Sequence, residues 1–240
     1  MNHYFISDAH LYPSGKQHPG REPLKSFLRK LAGNAPGKLW ILGDLFDYWF
    51  EYNTVIPAGF SDILSLLKNL SDKGWQVFFM PGNHDWWCGN KLATETGMQI
   101  ILKTTHCEVI DDRKTVMAHG DGLGSGDTGY RIMKPVLRST AIRFLFSMLH
   151  PTLATGFAGI FSNTSKRIFR KQVDSIPEYL TRWIVSQSDK GTDLVITGHT
   201  HCPSLVKHGN LIHASLGDWI SHFTYLRVGG GEINLHEYQE

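Results

Sequence analysis

Three short apolar runs, Tyr4 to Ser7, Leu39 to Leu42 and Gln76 to Met80, each stop at a cluster of acidic, amide or imidazole side chains. Runs of this length, rich in aromatic and aliphatic residues, read as buried β-strands. The intervening sequence has another period: Pro23 to Leu31 and Phe60 to Lys73 are helical in pattern, with Ile63, Leu66, Leu67 and Leu70 at helix spacing in the second. Strand, loop and helix therefore alternate. That order puts the polar clusters in loops at strand ends, where a rigid sheet gathers residues remote in sequence into one cleft.

Five such clusters occur along the chain: Asp8-Ala9-His10, Gly43-Asp44-Leu45-Phe46-Asp47, Gly82-Asn83-His84-Asp85, His119-Gly120-Asp121 and Gly198-His199-Thr200-His201. Asp-x-His at a strand end places two side chains on one side of an extended segment, where both can reach one ion. Asp44 offers a carboxylate, whose two oxygens can bridge two cations while offsetting their charge. Asn83 adds a carbonyl oxygen, and His119, His199 and His201 add imidazole nitrogen. This mixed set suits a borderline divalent ion such as Mn²⁺ better than the oxygen shells preferred by Mg²⁺ or Ca²⁺. Asp8, His10, Asp44, Asn83, His119, His199 and His201, shared between two ions, leave positions for water and phosphate. Two ions about 3.5–4 Å apart activate a shared water and neutralise phosphoryl oxygens during in-line attack. His84 does not readily share an ion with its neighbour Asn83, but it can face a leaving oxygen and donate a proton there.

Downstream, Glu108 to Asp111 and Thr115 to Ala118 read as a hairpin around Asp112-Arg113-Lys114, and a strand returns at Asp193 to Thr197. Leu205 to Lys207, Leu211 to Ala214, Phe223 to Val228 and Ile233 to Tyr238 read as consecutive antiparallel strands of a second sheet. Residues 129–173 form an insertion of different character. No acidic residue lies between Asp127 and Asp174, whereas Arg131, Lys134, Arg138, Arg143, Lys166 and Arg167 fall there with an apolar middle from Phe144 to Phe161. His150-Pro151 and Gly156 break that middle, so a helical cap is expected in place of a membrane span of about 20 apolar residues. Its apolar surface fits either an acyl pocket or a subunit interface.

At 240 residues the chain suits one large domain. A net charge of +2 argues against an extended nucleic-acid surface. Cys88, Cys107 and Cys202 are odd in number and unpaired in spacing, which fits a reducing compartment. The first motif follows the N-terminus with no room for a leader, so a cytoplasmic location is expected.

The ordered motifs from residues 8 to 201 resemble those of the calcineurin-like metallophosphoesterase superfamily. That resemblance implies a four-layer α/β/β/α sandwich of two mixed β-sheets flanked by helices. It also implies that Asp8, His10, Asp44 and His201 hold one ion and Asp44, Asn83, His119 and His199 the other, with a bridging hydroxide as nucleophile. Asp47, as the second Asp of its motif, would orient catalytic His84. Within the superfamily, Phe5 to Leu11, Leu42 to Trp49, His119 to Leu123, Asp127, Tyr130, Gly198 to His201 and Pro203 resemble the UDP-2,3-diacylglucosamine diphosphatases of lipid A biosynthesis. This likeness implies release of UMP and 2,3-diacylglucosamine 1-phosphate, a cap that holds acyl chains, and peripheral attachment to the cytoplasmic face of the inner membrane. It makes Asn83, His84, Asp127, Tyr130, Ser165, Lys166, Arg167 and His199 the expected substrate contacts. The chain departs from that pattern at His84, where better-known members carry Arg, and at Asp47, where Glu is common. A phosphodiesterase for cyclic nucleotides or another soluble phosphoester therefore remains an alternative, as does a metal-stabilised interaction scaffold.

Overall fold

The structure is a computed structural model that describes residues 1–13, 15–52, 56–126, 128–148 and 175–239. The apolar runs become β1 (His3–Ile6), β2 (Lys38–Leu42) and β3 (Gln76–Met80), which are parallel neighbours. A short strand not expected from sequence, β4 (Gln99–Ile100), pairs parallel with β3. The register sets Phe5 beside Trp40 and Trp40 beside Phe78, so their rings form a stack with centroids 6.1 and 4.1 Å apart.

The second sheet contains β5 (His106–Ile110), β6 (Arg113–Ala118), β7 (Leu194–Thr197), β8 (Ser204–His208) and β9 (Leu211–Ser215), in the order β5-β6-β7-β9-β8. Here β6, β7 and β9 are parallel. The β5–β6 turn is tighter than the expected loop: Asp111 and Asp112 take it alone, both in the left-handed region at φ 51° and 60°. Two consecutive positive φ angles match the right-handed twist of a two-residue hairpin.

The four terminal strands do not share one sheet, contrary to the sequence expectation. They split into two hairpins: β8–β9 stays in the second sheet, while β10 (Thr224–Gly229) and β11 (Glu232–Glu237) join the first, with β10 antiparallel to β1. A short apolar run marks a strand but does not specify which neighbour it pairs with. The segment between β9 and β10 crosses from one sheet to the other, and Gly217-Asp218-Trp219 lies in that crossing.

Burial explains the layering. Helices α1 (Arg21–Ala32), α2 (Ser61–Asp72) and α3 (Asn90–Thr96) pack Leu24, Phe27, Leu67 and Leu92 against Ile6, Ile41 and Phe79 on the outer face of the first sheet. Alternate residues of the same strands point inward, where Phe5, Trp40 and Met80 meet Met117, Ile196 and Ala214 of the second sheet. Val116 and Val195 on the far face of that sheet receive Leu180 and Ile184 from the last described α-helix. With α4 (Thr128–Leu137) and α5 (Thr140–Ser147) preceding it, that helix is α6 (Glu178–Ser186). The result is the expected four-layer α/β/β/α sandwich of two mixed sheets.

Helices α4 and α5 carry the described start of the insertion; its continuation to residue 173 lies outside the described residues. They dock beside the Asn83–His84 loop. The Arg138 guanidinium lies 3.3 Å from the centre of the Trp86 ring, Trp87 Nε1 donates to the Leu137 carbonyl at 3.0 Å, and the Trp87 and Phe146 rings are 4.8 Å apart. Among the described residues no helix is long and apolar enough to cross a membrane.

Candidate metal centre

All six inner parallel strands, β1, β2, β3, β6, β7 and β9, end at the same rim, and the polar motifs follow five of them. Asp8 and His10 follow β1, Asp44 follows β2, Asn83 and His84 follow β3, His119 follows β6, and His199 and His201 follow β7. The loops are held close by main-chain bonds: Asp8 N donates to Gly43 O at 3.0 Å, His10 N to Asp44 O at 2.8 Å and Gly198 N to His119 O at 2.8 Å.

The side chains converge in three overlapping groups, each with donor atoms within 4.8 Å of one another: Asp8, His10 and His201; His10, Asp44 and His84; Asp44, His119 and His199. Asp44 lies between them. Its Oδ2 is 3.4 Å from His119 Nε2, 3.6 Å from His10 Nε2 and 4.0 Å from His84 Nε2. Asn83 joins the third group through Oδ1, 3.2 Å from His119 Nε2.

Local chemistry fits divalent cations there. Asp8 Oδ1 and both ring nitrogens of His10 are buried with no hydrogen bond, and the nearest carboxylate oxygens around His10 lie at 3.6–3.7 Å, too long for one. His119 Nδ1 lies 2.8 Å from the Leu42 carbonyl, which only accepts; Nδ1 therefore donates, and in the neutral ring Nε2 presents its lone pair to Asp44 and Asn83. A lone pair facing acceptor oxygens calls for a cation or a proton between them.

Glycines leave the room. A Cβ at Gly82 would sit 2.1 Å from Asp44 Oδ1, one at Gly43 2.4 Å from His119 Nδ1, and one at Gly198 2.6 Å from Asp8 Oδ2. Five of the donor residues, Asp8, His10, Asp44, His199 and His201, occupy the left-handed region with φ between 45° and 68°. Strained backbone of this kind, at about 1–3 kcal/mol per residue, concentrates at functional sites.

With the donors in place, comparison with known proteins settles the family. The sequence profile of the calcineurin-like phosphoesterases matches residues 1–203. The chain belongs to this family. Relatives described as UDP-2,3-diacylglucosamine hydrolase come from Porphyromonas gingivalis, 30% identical with 99% of this chain and 97% of the relative aligned, and from Stenotrophomonas maltophilia, 34% identical with 98% of each aligned. A solved archaeal phosphodiesterase matches in fold, with a TM-score of 0.50 over 99% of both chains at 13% identity. The protein is thus a hydrolase of the phosphoesterase family.

Burial and charge set the protonation of this phosphoesterase site. Burial disfavours a charged His10, but the carboxylates of Asp47, Asp8 and Asp44 outweigh it and raise its pKa to about 10. His119 is raised to about 10 in the same way, by Asp44 foremost against the penalty of burial. His199 goes the other way, lowered to about 4 by burial and the nearby His119 charge, so its ring is neutral. Divalent cations held by these residues would displace the His10 and His119 protons and take over their charge-neutralising role.

His84 meets Asp47 through the main chain of Asp47. His84 Nδ1 donates to the Asp47 main-chain carbonyl at 2.8 Å, which aims Nε2 into the cleft, while the Asp47 carboxylate lies 3.7 Å from His10 Nδ1. A main-chain contact of this sort tolerates the Asp-for-Glu change. Asp127, Ser165, Lys166 and Arg167 lie outside the described residues, as does the side chain of Tyr130 on α4.

Two buried carboxylates inside the quoted motifs had no role assigned from sequence. Asp85 accepts main-chain N–H groups from Asp44, Leu45, Phe46 and Gly82 at 2.8–3.3 Å, and so ties the Asp44 loop to the Asn83 loop of the phosphoesterase. Burial, with repulsion from Asp44, raises its pKa to about 7. Asp121 receives Lys134 Nζ at 2.7 Å and Arg138 at 3.2 Å, which fastens the basic side of α4 beside His119.

Proposed function

We propose that the protein hydrolyses the diphosphate bridge of UDP-2,3-diacylglucosamine to UMP and 2,3-diacylglucosamine 1-phosphate, using two divalent ions, Mn²⁺ foremost. The observation that carries this reading is the shared carboxylate: Asp44 stands between one donor group containing Asp8, His10 and His201 and another containing His119, His199 and Asn83. The near full-length likeness to relatives named for that substrate supports the choice of phosphoester.

Ions held there supply Lewis-acid charge that lowers the pKa of water and neutralises phosphoryl oxygens. The chain does the rest. Asp8 and Asp44, buried and anionic, hold the imidazoles in register, and His84 Nε2, aimed into the cleft by the Asp47 carbonyl, stands where it can serve the leaving phosphate. One P–O bond of the bridge breaks, the water oxygen joins one phosphorus, and the bridging oxygen leaves with the other phosphate. The docked α4 keeps Lys134 and Arg138 beside this rim to meet a diphosphate.

The insertion is read as a cap for acyl chains, within a single domain, on a protein peripheral to the cytoplasmic face of the inner membrane. Exposed Ile132 and Val136 on α4, Phe144 and Leu145 on α5 and Met148 just beyond it support an apolar partner, since burying acyl chains is worth about 0.8 kcal/mol per CH₂. Asp127, Tyr130, Ser165, Lys166 and Arg167 are its proposed substrate contacts.

The test is incubation of Mn²⁺-loaded protein with UDP-2,3-diacylglucosamine and mass spectrometry of the products. UMP with the lipid monophosphate is expected. Cleavage of a cyclic nucleotide with no reaction on the lipid would replace this reading with the soluble-phosphodiester one, which the His84 substitution favours.

A further inference from the structure

Asp218 occupies the crossing between the sheets, one strand away from the nearest donor motif. Its two carboxylate oxygens have different partners. Oδ1 accepts the main-chain N–H groups of Ile220, Ser221 and His222 at 2.9, 2.7 and 3.1 Å. Oδ2 faces two imidazoles, His201 Nδ1 at 3.2 Å and His222 Nδ1 at 3.1 Å. An ionised carboxylate only accepts, so both Nδ1 atoms must carry protons. For His201 that leaves Nε2, the atom 3.6 Å from Asp8 Oδ1, with the lone pair.

The loop is built to hold this contact still. Trp219 is fully buried against Phe27 and Tyr238, its main-chain N–H donates to the Asp8 carbonyl at 3.1 Å, and a Cβ at Gly20 would fall 1.5 Å from its carbonyl oxygen. Asp218 itself is buried, whereas His201 and His222 are partly open. One turn thus positions the backbone of Asp8 and the ring of His201 together.

We infer that Asp218 is a positioning residue that fixes His201 in the Nδ1–H tautomer, leaving Nε2 to ligate the ion shared with Asp8, His10 and Asp44. This rests on the two-cation reading of the site. A carboxylate behind a ligating imidazole sets its orientation and basicity, and such outer partners are worth about 10- to 100-fold in metal affinity.

Asp218→Asn separates this role from mere support. The amide oxygen keeps the three main-chain N–H bonds, so its NH₂ must face His201 and His222. A donor there forces His201 to accept at Nδ1 and to carry its proton on Nε2, the form that cannot ligate. Nitrogen-15 NMR of the His201 ring at alkaline pH, without metal, is expected to show Nδ1–H in the parent protein and Nε2–H in the variant. Mn²⁺ titration followed by electron paramagnetic resonance is expected to give two tight equivalents in the parent. In the variant one equivalent stays tight and the other weakens about 10- to 100-fold, whereas His222→Ala leaves both tight. Two equally tight equivalents in parent and Asp218→Asn would overturn the inference alone; a parent that binds no Mn²⁺ would overturn it together with the two-cation reading.

Discussion

Asp44→Asn is expected to lower kcat on the phosphoester substrate by about 10³-fold, about 4 kcal/mol of transition-state stabilisation. The side chain is buried and central, with Oδ2 within 4.0 Å of His10, His84 and His119. Its other oxygen accepts the His84 main-chain N–H at 3.0 Å. An Asn keeps that bond with its carbonyl oxygen and therefore turns its NH₂ toward the three imidazoles. A bridging anion becomes a neutral donor, and cations lose the group shared by both sets of ligands. Steady-state assay of Mn²⁺-loaded protein measures the effect, and metal content measured alongside should fall below that of the parent. Activity within tenfold of the parent would mean that Asp44 is not shared between two ions.

Gly82→Ala is expected to cost about 10²-fold in kcat together with about 1–3 kcal/mol of stability. The added methyl would lie 2.1 Å from Asp44 Oδ1 and 2.8 Å from both Asp44 Cγ and His119 Nε2. These neighbours are not flexible tips. Asp85 holds the main chain of Gly82 and of Asp44 at once, and the Leu42 carbonyl pins the His119 ring. The methyl must then push the shared carboxylate and an imidazole apart at the centre of the site. Gly209→Ala provides the contrast, since its left-handed φ of 62° strains an Ala but nothing lies within 4 Å of the added methyl. Denaturation should register both changes, and Mn²⁺ affinity only the first.

Much of this centre could be read from the chain because its donors follow apolar strands. A strand end fixes where a side chain emerges, so Asp8, Asp44, Asn83, His119 and His199 were assignable from what precedes them. Pairing was less visible. Strands β8 to β11 are short runs of five or six residues each, and nothing local distinguishes a hairpin that stays from one that crosses to the first sheet. The supporting carboxylates were hidden for another reason. Asp85 and Asp218 act by accepting main-chain N–H groups, and the Asp47 carbonyl acts on His84; such contacts depend on backbone paths that side-chain identity does not encode. The left-handed conformations of His10 and His201 run against ordinary preference for residues with a Cβ. Their strain belongs to the assembled site and has no local sequence signal.

The central claim is that one carboxylate organises two cations. Crystals grown with Mn²⁺ and measured at the manganese absorption edge test it directly. Two anomalous peaks about 3.5–4 Å apart are expected, one among Asp8, His10, Asp44 and His201 and the other among Asp44, Asn83, His119 and His199. A single peak, or two peaks that do not share Asp44, would contradict it.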